Sequence, residues 1–249
     1  MIRKFFNWNM KLSRDFDQLL PADYNIDGNS DFKNRFAPAW LQPNTRVVDI
    51  GGGKNPFIAL DKKKAQTIHV TGVDISAEEL ARAPVGAYDA ILCGDIATMV
   101  GTGDADVCIC QAVLEHVRDV ENAFVSIASF LKAGGVALIF GPSRNAVFAR
   151  LNLLLPERLK RLLLFTIFPD TQRDQGFPSY YNRCTPAGFQ SMAQAAGLEI
   201  QEAKYYYASY YFTFFVPLHI FWRAWIILYR RIAGEQAAET FSVVLKKIG

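Results

Sequence analysis

Three consecutive glycines directly follow a short, largely apolar segment, and two acidic residues end later apolar segments. Residues 47–50 are of the kind that forms a strand buried on both faces. Residues 51–53, all glycine, can adopt positive φ and let a ligand approach the bare backbone. Asp74 and Asp95 end two further apolar runs. Because the carboxyl ends of parallel strands meet at one edge of a sheet, this pattern predicts a site for a nucleotide-like cofactor.

The spacing of the glycines distinguishes between cofactors. The NAD-binding fingerprint G-x-G-x-x-G would need a third glycine at position 56, where this chain has Pro56. Residues 49–55 instead have the pattern D-x-G-x-G-x-N, which resembles motif I of the class I S-adenosylmethionine-dependent methyltransferases. Asn55 stands where the last glycine of that motif usually lies, and Asn tolerates left-handed backbone better than most residues. A glycine-rich turn without a ligand is the alternative.

The two later acids match the same family. Asp74 lies about twenty residues beyond the glycines, where a ribose-binding acid is expected. Asp95 and Ile96 resemble the family's adenine site, and by the same resemblance Gln111 faces the cofactor. Each acid could instead cap a helix or sit in a turn. The predicted cofactor-binding residues are Asp49, Gly51, Gly52, Gly53, Asp74, Ile75, Asp95, Ile96 and Gln111.

These residues need a scaffold of alternating strands and helices, which the hydrophobic pattern indicates. Strands are predicted at 45–50, 68–74, 88–94, 104–112 and 135–140, with helices at 56–64, 77–83 and 120–132 between them. That alternation is typical of a parallel sheet covered by helices. Two more strands are predicted at 198–204 and 239–247. The resemblance implies an α/β, Rossmann-like fold with a seven-stranded, mostly parallel sheet, helices on both faces and an antiparallel last strand.

The segment after the fourth strand carries the candidate catalytic groups. Residues 106–117, DVCICQAVLEHV, are similar to the family's motif where the strand end meets the methyl donor and the substrate. Glu115 and His116 follow the strand end, and either could point into the active-site mouth. His116 is the first candidate for a general base, and Tyr180 or Tyr181 is the second. His116 could equally pack against or cap the following helix.

The chain is interpreted as one methyltransferase domain, residues 1–249, with additions around a cofactor-binding core at 44–141. Residues 1–43 would form an N-terminal lid, with Tyr24, Gly28 and Asn29 either as lid residues or in an ordinary surface turn. Residues 142–197 would hold the substrate. That insertion is predicted to contain a helix at 145–155, an amphipathic basic helix from 156, a substrate loop at 177–186 and a helix capped at 185.

Residues 205–233 are unusually aromatic. Twelve aromatic residues and no acid occur between positions 205 and 229. A helix crossing the bilayer once would separate the last two strands, which must pair in one sheet, and Pro217 is expected to break or kink the segment. We expect a helix lying in the headgroup plane of a membrane, with His219, Arg223 and Arg230 on its polar face. A helix buried against 144–168, or in a dimer interface, is the alternative.

The composition limits the kinds of binding partner and the cellular compartment to be expected. A net charge of +3 is too small to imply nucleic acid, and no basic run exceeds residues 62–64. The four cysteines lack paired C-x-x-C spacing, so neither a metal site nor a disulfide framework is expected. Without a secretory signal pattern, a cytoplasmic location is expected, peripheral on the membrane face if 205–233 binds lipid.

The predicted reaction is methyl transfer from S-adenosyl-L-methionine to a small-molecule, lipid or membrane-linked glycan acceptor. Displacement at a sulfonium carbon needs positioning of donor and nucleophile, and also a base when the acceptor is a hydroxyl. One alternative is a non-catalytic, membrane-associated adaptor with the same fold. An NAD-dependent enzyme is another, which Pro56 disfavours. The protein could also form oligomers.

Overall fold

A seven-stranded sheet organises the structure, a computed structural model that describes residues 2–156, 177–208 and 210–249. Its strands are β1 (Arg46–Ile50), β2 (His69–Asp74), β3 (Ala90–Cys93), β4 (Ala105–Gln111), β5 (Leu131–Pro142), β6 (Leu198–Tyr206) and β7 (Thr240–Lys247). They are ordered β3-β2-β1-β4-β5-β7-β6. The first five pair in parallel, whereas β7 is antiparallel to β5 and β6. The predicted α/β sheet with an antiparallel last strand is confirmed.

The α-helices in the described residues precede β1 or connect the strands. They are α1 (Ile2–Asp17), α2 (Gly28–Asp31), α3 (Leu60–Ala65), α4 (Ala77–Ala81), α5 (Val120–Phe130), α6 (Val147–Leu154), α7 (Pro186–Ala195) and α8 (Val216–Ala233). Several begin at a side chain that accepts a backbone N–H, as Ser76 does from Glu79 and Thr185 does from Gly188. The predicted cap at Thr185 is thereby confirmed.

Alternation along the strands sends side chains into two apolar layers. Val48 and Ile50 of β1 belong to the layer that β1 shares with α5 and α7. Val47 belongs to the opposite layer, which includes Phe32 and Phe36 of the N-terminal segment. With both faces covered, residues 47–50 of β1 are all buried, which explains why three of these four residues are apolar. This double packing fixes the carboxyl end of β1.

Some element boundaries differ from the predicted ones. Helix α5 ends at Phe130, earlier than the predicted 132, because Leu131 already pairs with Ala105 at the start of β5. Pro217 does not break the aromatic segment. It lies in the first turn of α8, where a missing N–H costs little. The amphipathic helix predicted from position 156 falls at 157–176, outside the described residues.

Helix α8 buries two of the three basic residues that were expected to face lipid headgroups, so the prediction is wrong for those two. Arg230 is partly exposed and lies 3.7 Å from Asp23 Oδ2. His219 and Arg223 are 0% and 1% exposed. His219 Nε2 and Arg223 Nε each lie 2.9 Å from Asp17 Oδ1 at the end of α1. Arg223 also donates to the carbonyl oxygens of Tyr207 and Tyr24 at 2.7 and 2.5 Å. The counter-charge comes from a residue about two hundred positions away in sequence.

Among the described residues, no helix combines the length and the apolarity needed to cross a bilayer.

Candidate active site

The turn after β1 can be formed only by small residues. Gly51 has a φ of +74° and donates its N–H to Val73 O at 2.7 Å. A Cβ at Gly51 would lie 2.3 Å from Val113 Cγ2, and a Cβ at Gly52 would lie 2.5 Å from Asp49 Oδ2. Side-chain carbons do not approach other atoms this closely. The glycines therefore let β1, β2 and the segment after β4 converge at one point.

Asp49 stabilises this turn through hydrogen bonds. Its Oδ2 accepts the N–H of Phe57 at 2.8 Å and the hydroxyl of Tyr88 at 3.4 Å. The Tyr88 hydroxyl also lies 3.1 Å from Gly53 O. Burial raises the pKa of Asp49 to about 6, partly offset by these hydrogen bonds. Asp49 thus shapes the glycine turn through its neighbours.

A cavity of about 400 Å³ opens at the carboxyl ends of the central strands, and both predicted acids line it. Asp74 Oδ1 accepts the N–H of Ser76 at 2.8 Å, and burial raises the pKa of Asp74. Asp95 Oδ1 accepts the N–H of Ala97 at 2.9 Å. These local bonds use one oxygen of each carboxylate. The turn-stabilising role and a place at the cavity wall are therefore compatible.

The structure divides the predicted cofactor residues into two groups. Those that line the cavity are Gly51, Asp74, Ile75, Asp95 and Ile96. Asp49, Gly52 and Gly53 belong to the turn behind it. Gln111 does not line this cavity, because its Nε2 donates to Asn29 Oδ1 at 2.7 Å. Gln111 thereby ties the end of β4 to the N-terminal segment.

The predicted catalytic residues are also divided. His116 and Tyr180 line the cavity. Tyr181 is buried in the core with a φ of +52°, and burial raises the pKa of its phenol. The N–H groups of Tyr180 and Tyr181 both donate to Glu115 O, at 2.7 and 3.0 Å. His116 Nδ1 lies 3.0 Å from Pro178 O. The 177–186 loop is therefore fixed against the segment after β4.

Known proteins resemble this chain in sequence and in fold. A family model for a methyltransferase domain matches residues 23–203, which is most of the chain. The chain is a class I S-adenosylmethionine-dependent methyltransferase. The ubiquinone biosynthesis O-methyltransferase of Thiobacillus denitrificans is 26% identical to it over 193 residues, 71% of this chain and 78% of the relative. The Burkholderia thailandensis enzyme of the same name is 26% identical over 196 residues, 72% of this chain and 79% of the relative.

A solved structure supports the fold of this methyltransferase. The S-adenosylmethionine-dependent methyltransferase from Mesorhizobium loti aligns with a TM-score of 0.56 and 17% identity, covering 87% of this chain and 98% of that chain. At this identity the likeness concerns the fold alone.

The chemistry of the cavity suits S-adenosyl-L-methionine, which supplies an electrophilic methyl group when bound. The backbone at Gly51 is bare because a side chain there would collide with Val113. Asp74 and Asp95 offer carboxylate oxygens to hydroxyl and amine hydrogens. Ile96 and Val113 give the cavity apolar surface that can pack against a base.

A second, larger cavity of about 890 Å³ adjoins the first in this methyltransferase. Ala112 lines both cavities, and its φ is +55°. The walls include Gly28 and Asn29 of the N-terminal segment, and Phe148, whose ring stacks on that of Tyr211 at 4.4 Å. Two of the three predicted lid residues, Gly28 and Asn29, thus lie at this cavity. The ring of the third, Tyr24, packs 5.8 Å from that of Tyr207 instead.

Sequence reasoning missed several residues of the two cavities. Arg118 lines the smaller cavity, and its guanidinium lies 5.0 Å from the centre of the Tyr180 ring. Val113 and Phe177 add apolar surface. They belong to the predicted 106–117 motif and the predicted 177–186 loop, but neither was singled out there. The only sequence signal that Val113 and Arg118 lie at the site was their position next to residues 114–117, LEHV. Nothing in the sequence indicates the positive φ of Ala112, because alanine is not favoured in that conformation.

Proposed function

We propose that this methyltransferase methylates an oxygen atom of a small, largely apolar acceptor that it takes from a membrane surface. The observation that carries this proposal is the 890 Å³ cavity, which adjoins the donor cavity at Ala112. Its volume is in the range of ligand-binding cavities, and aromatic side chains such as Phe140 and Tyr211 contribute to its walls. Such walls suit an aromatic or isoprenoid body better than a glycan.

The donor would be held at the smaller cavity. In this proposal the Gly51 backbone lies against S-adenosyl-L-methionine, and Asp74 accepts hydrogen bonds from the ribose hydroxyls. Asp95 accepts from the adenine amine, while Ile75 and Ile96 contact the ring. Asp49, Gly52, Gly53 and Gln111 would contribute by fixing the turn and the end of β4.

His116 would serve as the base that removes a proton from the site. A carbonyl oxygen can only accept, so the contact with Pro178 O places the hydrogen of neutral His116 on Nδ1. Nε2 then carries the lone pair, as a base requires. Tyr180 would close the donor cavity beside it. Tyr181, which is buried, would act only by fixing the loop.

The relatives support the acceptor class. The two O-methyltransferases described above are named for ubiquinone biosynthesis, which suggests an oxygen nucleophile on an apolar molecule. Deprotonation makes such an oxygen a better nucleophile, so the reaction needs a path for the proton out of the site, which His116 can provide.

The surface of α8 supports the membrane part of the proposal. Five large apolar residues of α8 are exposed and recur at alternating steps of three and four, which places them on one face: Leu218, Phe221, Trp225, Leu228 and Ile232. We call them the outer stripe. Single exposed apolar residues are common, but a continuous stripe of this kind indicates a binding surface.

The interface between α1 and α8 contains several polar contacts beside the aromatic contact of Phe16 with His219. Asn9, Ser13 and Asp17 lie on one face of α1 and bond to the α8 region, Asn9 through Val216 N and Ser13 through Thr213 O, both at 3.0 Å. Trp8 of α1 is exposed instead. Buried polar contacts together with exposed apolar groups suit a pair of helices seated in a lipid interface.

The acceptor can be tested with a methyl-labelled donor. The enzyme would be incubated with radiolabelled S-adenosyl-L-methionine and either a total lipid extract or a water-soluble metabolite extract. We expect label in the lipid fraction, and mass spectrometry should assign it to an O-methyl group. Label confined to the water-soluble fraction, or on nitrogen, would contradict the proposal.

Membrane binding can be tested by flotation with vesicles of phosphatidylcholine and phosphatidylglycerol. The double variant Phe221→Glu, Leu228→Glu should lose most of the vesicle binding of the unchanged enzyme. The matched control places the same substitution at two isolated exposed apolar positions, Val85→Glu and Val100→Glu, and should float normally. Equal flotation of both variants would show that the outer stripe does not contact lipid.

A further inference from the structure

Glu115 is a buried carboxyl group at the wall of the larger cavity. It lies in the short 3-10 turn Leu114–His116, directly after β4. Its side chain lines the larger cavity, although the residue is only 6% exposed. Oε2 has no hydrogen-bond partner among the described residues. The backbone of Glu115 is held in place, because its carbonyl accepts from both Tyr180 N and Tyr181 N.

A buried carboxyl without a partner is unfavourable unless a ligand satisfies it. Leaving such an oxygen without a hydrogen bond costs free energy in the apo protein. Burial raises the pKa of Glu115 to about 7, so near neutral pH the group can exchange a proton with a bound molecule. Folding alone gives little reason for a carboxyl here, because its Oε2 has no partner among the described residues.

The position of Glu115 relates it to both cavities. Ala112, three residues earlier, lines both of them, while Glu115 lines the larger and His116 the smaller. Glu115 Oε1 and His116 Nε2 are 3.9 Å apart, a distance that a small side-chain rotation or a water molecule can bridge. The His116 side chain is partly exposed, so it connects the buried carboxylate with solvent.

We propose that Glu115 binds the hydroxyl of the acceptor in the larger cavity and takes its proton during methyl transfer. This inference rests on the proposed function and narrows the acceptor to a molecule with an O–H group on an apolar body. The acceptor O–H bond breaks, and its hydrogen goes to a carboxylate oxygen of Glu115. The oxygen electron pair bonds to the methyl carbon while the carbon–sulfur bond breaks, and that electron pair stays on sulfur.

The products balance the step. They are the methyl ether of the acceptor, S-adenosylhomocysteine and protonated Glu115. The proton then passes to His116 Nε2 and from there to water, which restores the carboxylate. In this sequence Glu115 acts first and His116 second.

Binding of a chromogenic diphenol tests the proposal without turnover. The absorbance of 4-nitrocatechol reports its ionisation and would be recorded with the full-length enzyme and S-adenosylhomocysteine between about pH 5.5 and 9. With the unchanged enzyme, we expect binding whose pH profile, after correction for the ionisation of the free probe, has an inflection near the pKa of Glu115. Glu115→Gln should lose that inflection and bind the probe more weakly. No binding by the unchanged enzyme, or the same profile in both proteins, would overturn the proposal.

Turnover with the lipid extract provides the second measurement. Glu115→Gln should lower the rate by about 100-fold or more, the usual effect of removing a general base, while calorimetry shows unchanged S-adenosylhomocysteine affinity. Glu115→Asp keeps the carboxylate and should retain the pH inflection at a reduced rate. If Glu115→Gln does not fold, the Asp variant decides: loss of the inflection in that folded variant would overturn the proposal.

A matched control separates this role from the general effect of neutralising a buried acid. Glu239 is also buried, and its Oε2 also lacks a partner among the described residues, but it does not line the larger cavity. Glu239→Gln should keep the rate and the probe profile of the unchanged enzyme. If Glu115→Gln still methylates the lipid extract at the normal rate, the proposed function stands and the role of Glu115 is rejected.

Discussion

Replacing Gly51 by alanine should damage both the stability of the enzyme and its donor site. The new Cβ would lie 2.3 Å from Val113 Cγ2, so the valine methyl must retreat by about 1 Å to reach ordinary contact. An alanine at a φ of +74° also costs roughly 1–2 kcal/mol of backbone strain. Overpacking adds about 1–3 kcal/mol. Because Val113 lines the donor cavity, its movement should also weaken donor binding.

Gly86→Ala is the matched control. Gly86 has a φ of +82°, so its backbone strain is similar, but its Cβ would meet only Leu60 Cδ1 at 3.8 Å. The two variants should therefore differ by the overpacking energy alone. For a chain of this length, about 1 kcal/mol shifts the melting temperature by roughly 2–4 °C. We expect Gly51→Ala to melt about 2–12 °C below Gly86→Ala.

Thermal melting and calorimetry with S-adenosylhomocysteine measure the two effects. Gly86→Ala should bind with normal affinity, whereas Gly51→Ala should bind about tenfold more weakly or worse. Adding Val113→Ala removes the colliding methyl groups, and a double-mutant cycle should show recovery of part of the lost affinity. If Gly51→Ala and Gly86→Ala behave alike in both assays, the glycine turn is not the surface that receives the donor.

Three further predictions concern other residues. Asp74→Asn should weaken S-adenosylhomocysteine binding by about 1.5–3 kcal/mol in calorimetry. Glu78→Gln, on the exposed side of α4, should leave the affinity unchanged. Equal losses in both variants would point to a general charge effect. Burial raises the pKa of Glu239 from 4.5 to about 8 in the folded protein. Its contribution to the free energy of unfolding therefore falls as pH rises between those two values, by up to about 1.4 kcal/mol per pH unit. Glu239→Gln should therefore flatten the pH dependence of urea unfolding and be more stable than the unchanged enzyme above pH 8; an unchanged slope would contradict this. Asp17→Asn removes the counter-charge of buried Arg223 and should lower the free energy of unfolding by about 3–5 kcal/mol in urea denaturation. An unchanged denaturation midpoint would contradict this prediction.

The sheet and the cavity at the carboxyl ends of its strands could be predicted because their signals are local. Each early strand is a short apolar run that ends in a glycine or an acid, and parallel strands bring those ends to one edge of the sheet. Asp74 and Asp95 lie at the cavity for this reason. Gln111 was expected there too, but its amide bonds to Asn29, which is 82 positions away in the chain. Sequence spacing gives no information about such a contact.

The region around α8 could be predicted only in part. Its length and aromatic content were visible, but His219 and Arg223 looked like a solvated basic face. Their burial depends on Asp17 at the far end of the sequence, and a single chain without structure cannot reveal which acid neutralises which base. The larger cavity was not predicted either, because its walls come from segments that are distant in sequence.

Ala112 is the residue common to the walls of both cavities, and this arrangement has a consequence for how the enzyme can diversify. The half of the site proposed to hold the donor is encoded mainly by one continuous stretch. Much of the half proposed to hold the acceptor is encoded by the start of the chain and by the residues just after β6. Chimaeras that exchange those two outer stretches between homologous genes should acquire new acceptor preferences while inheriting an intact donor half.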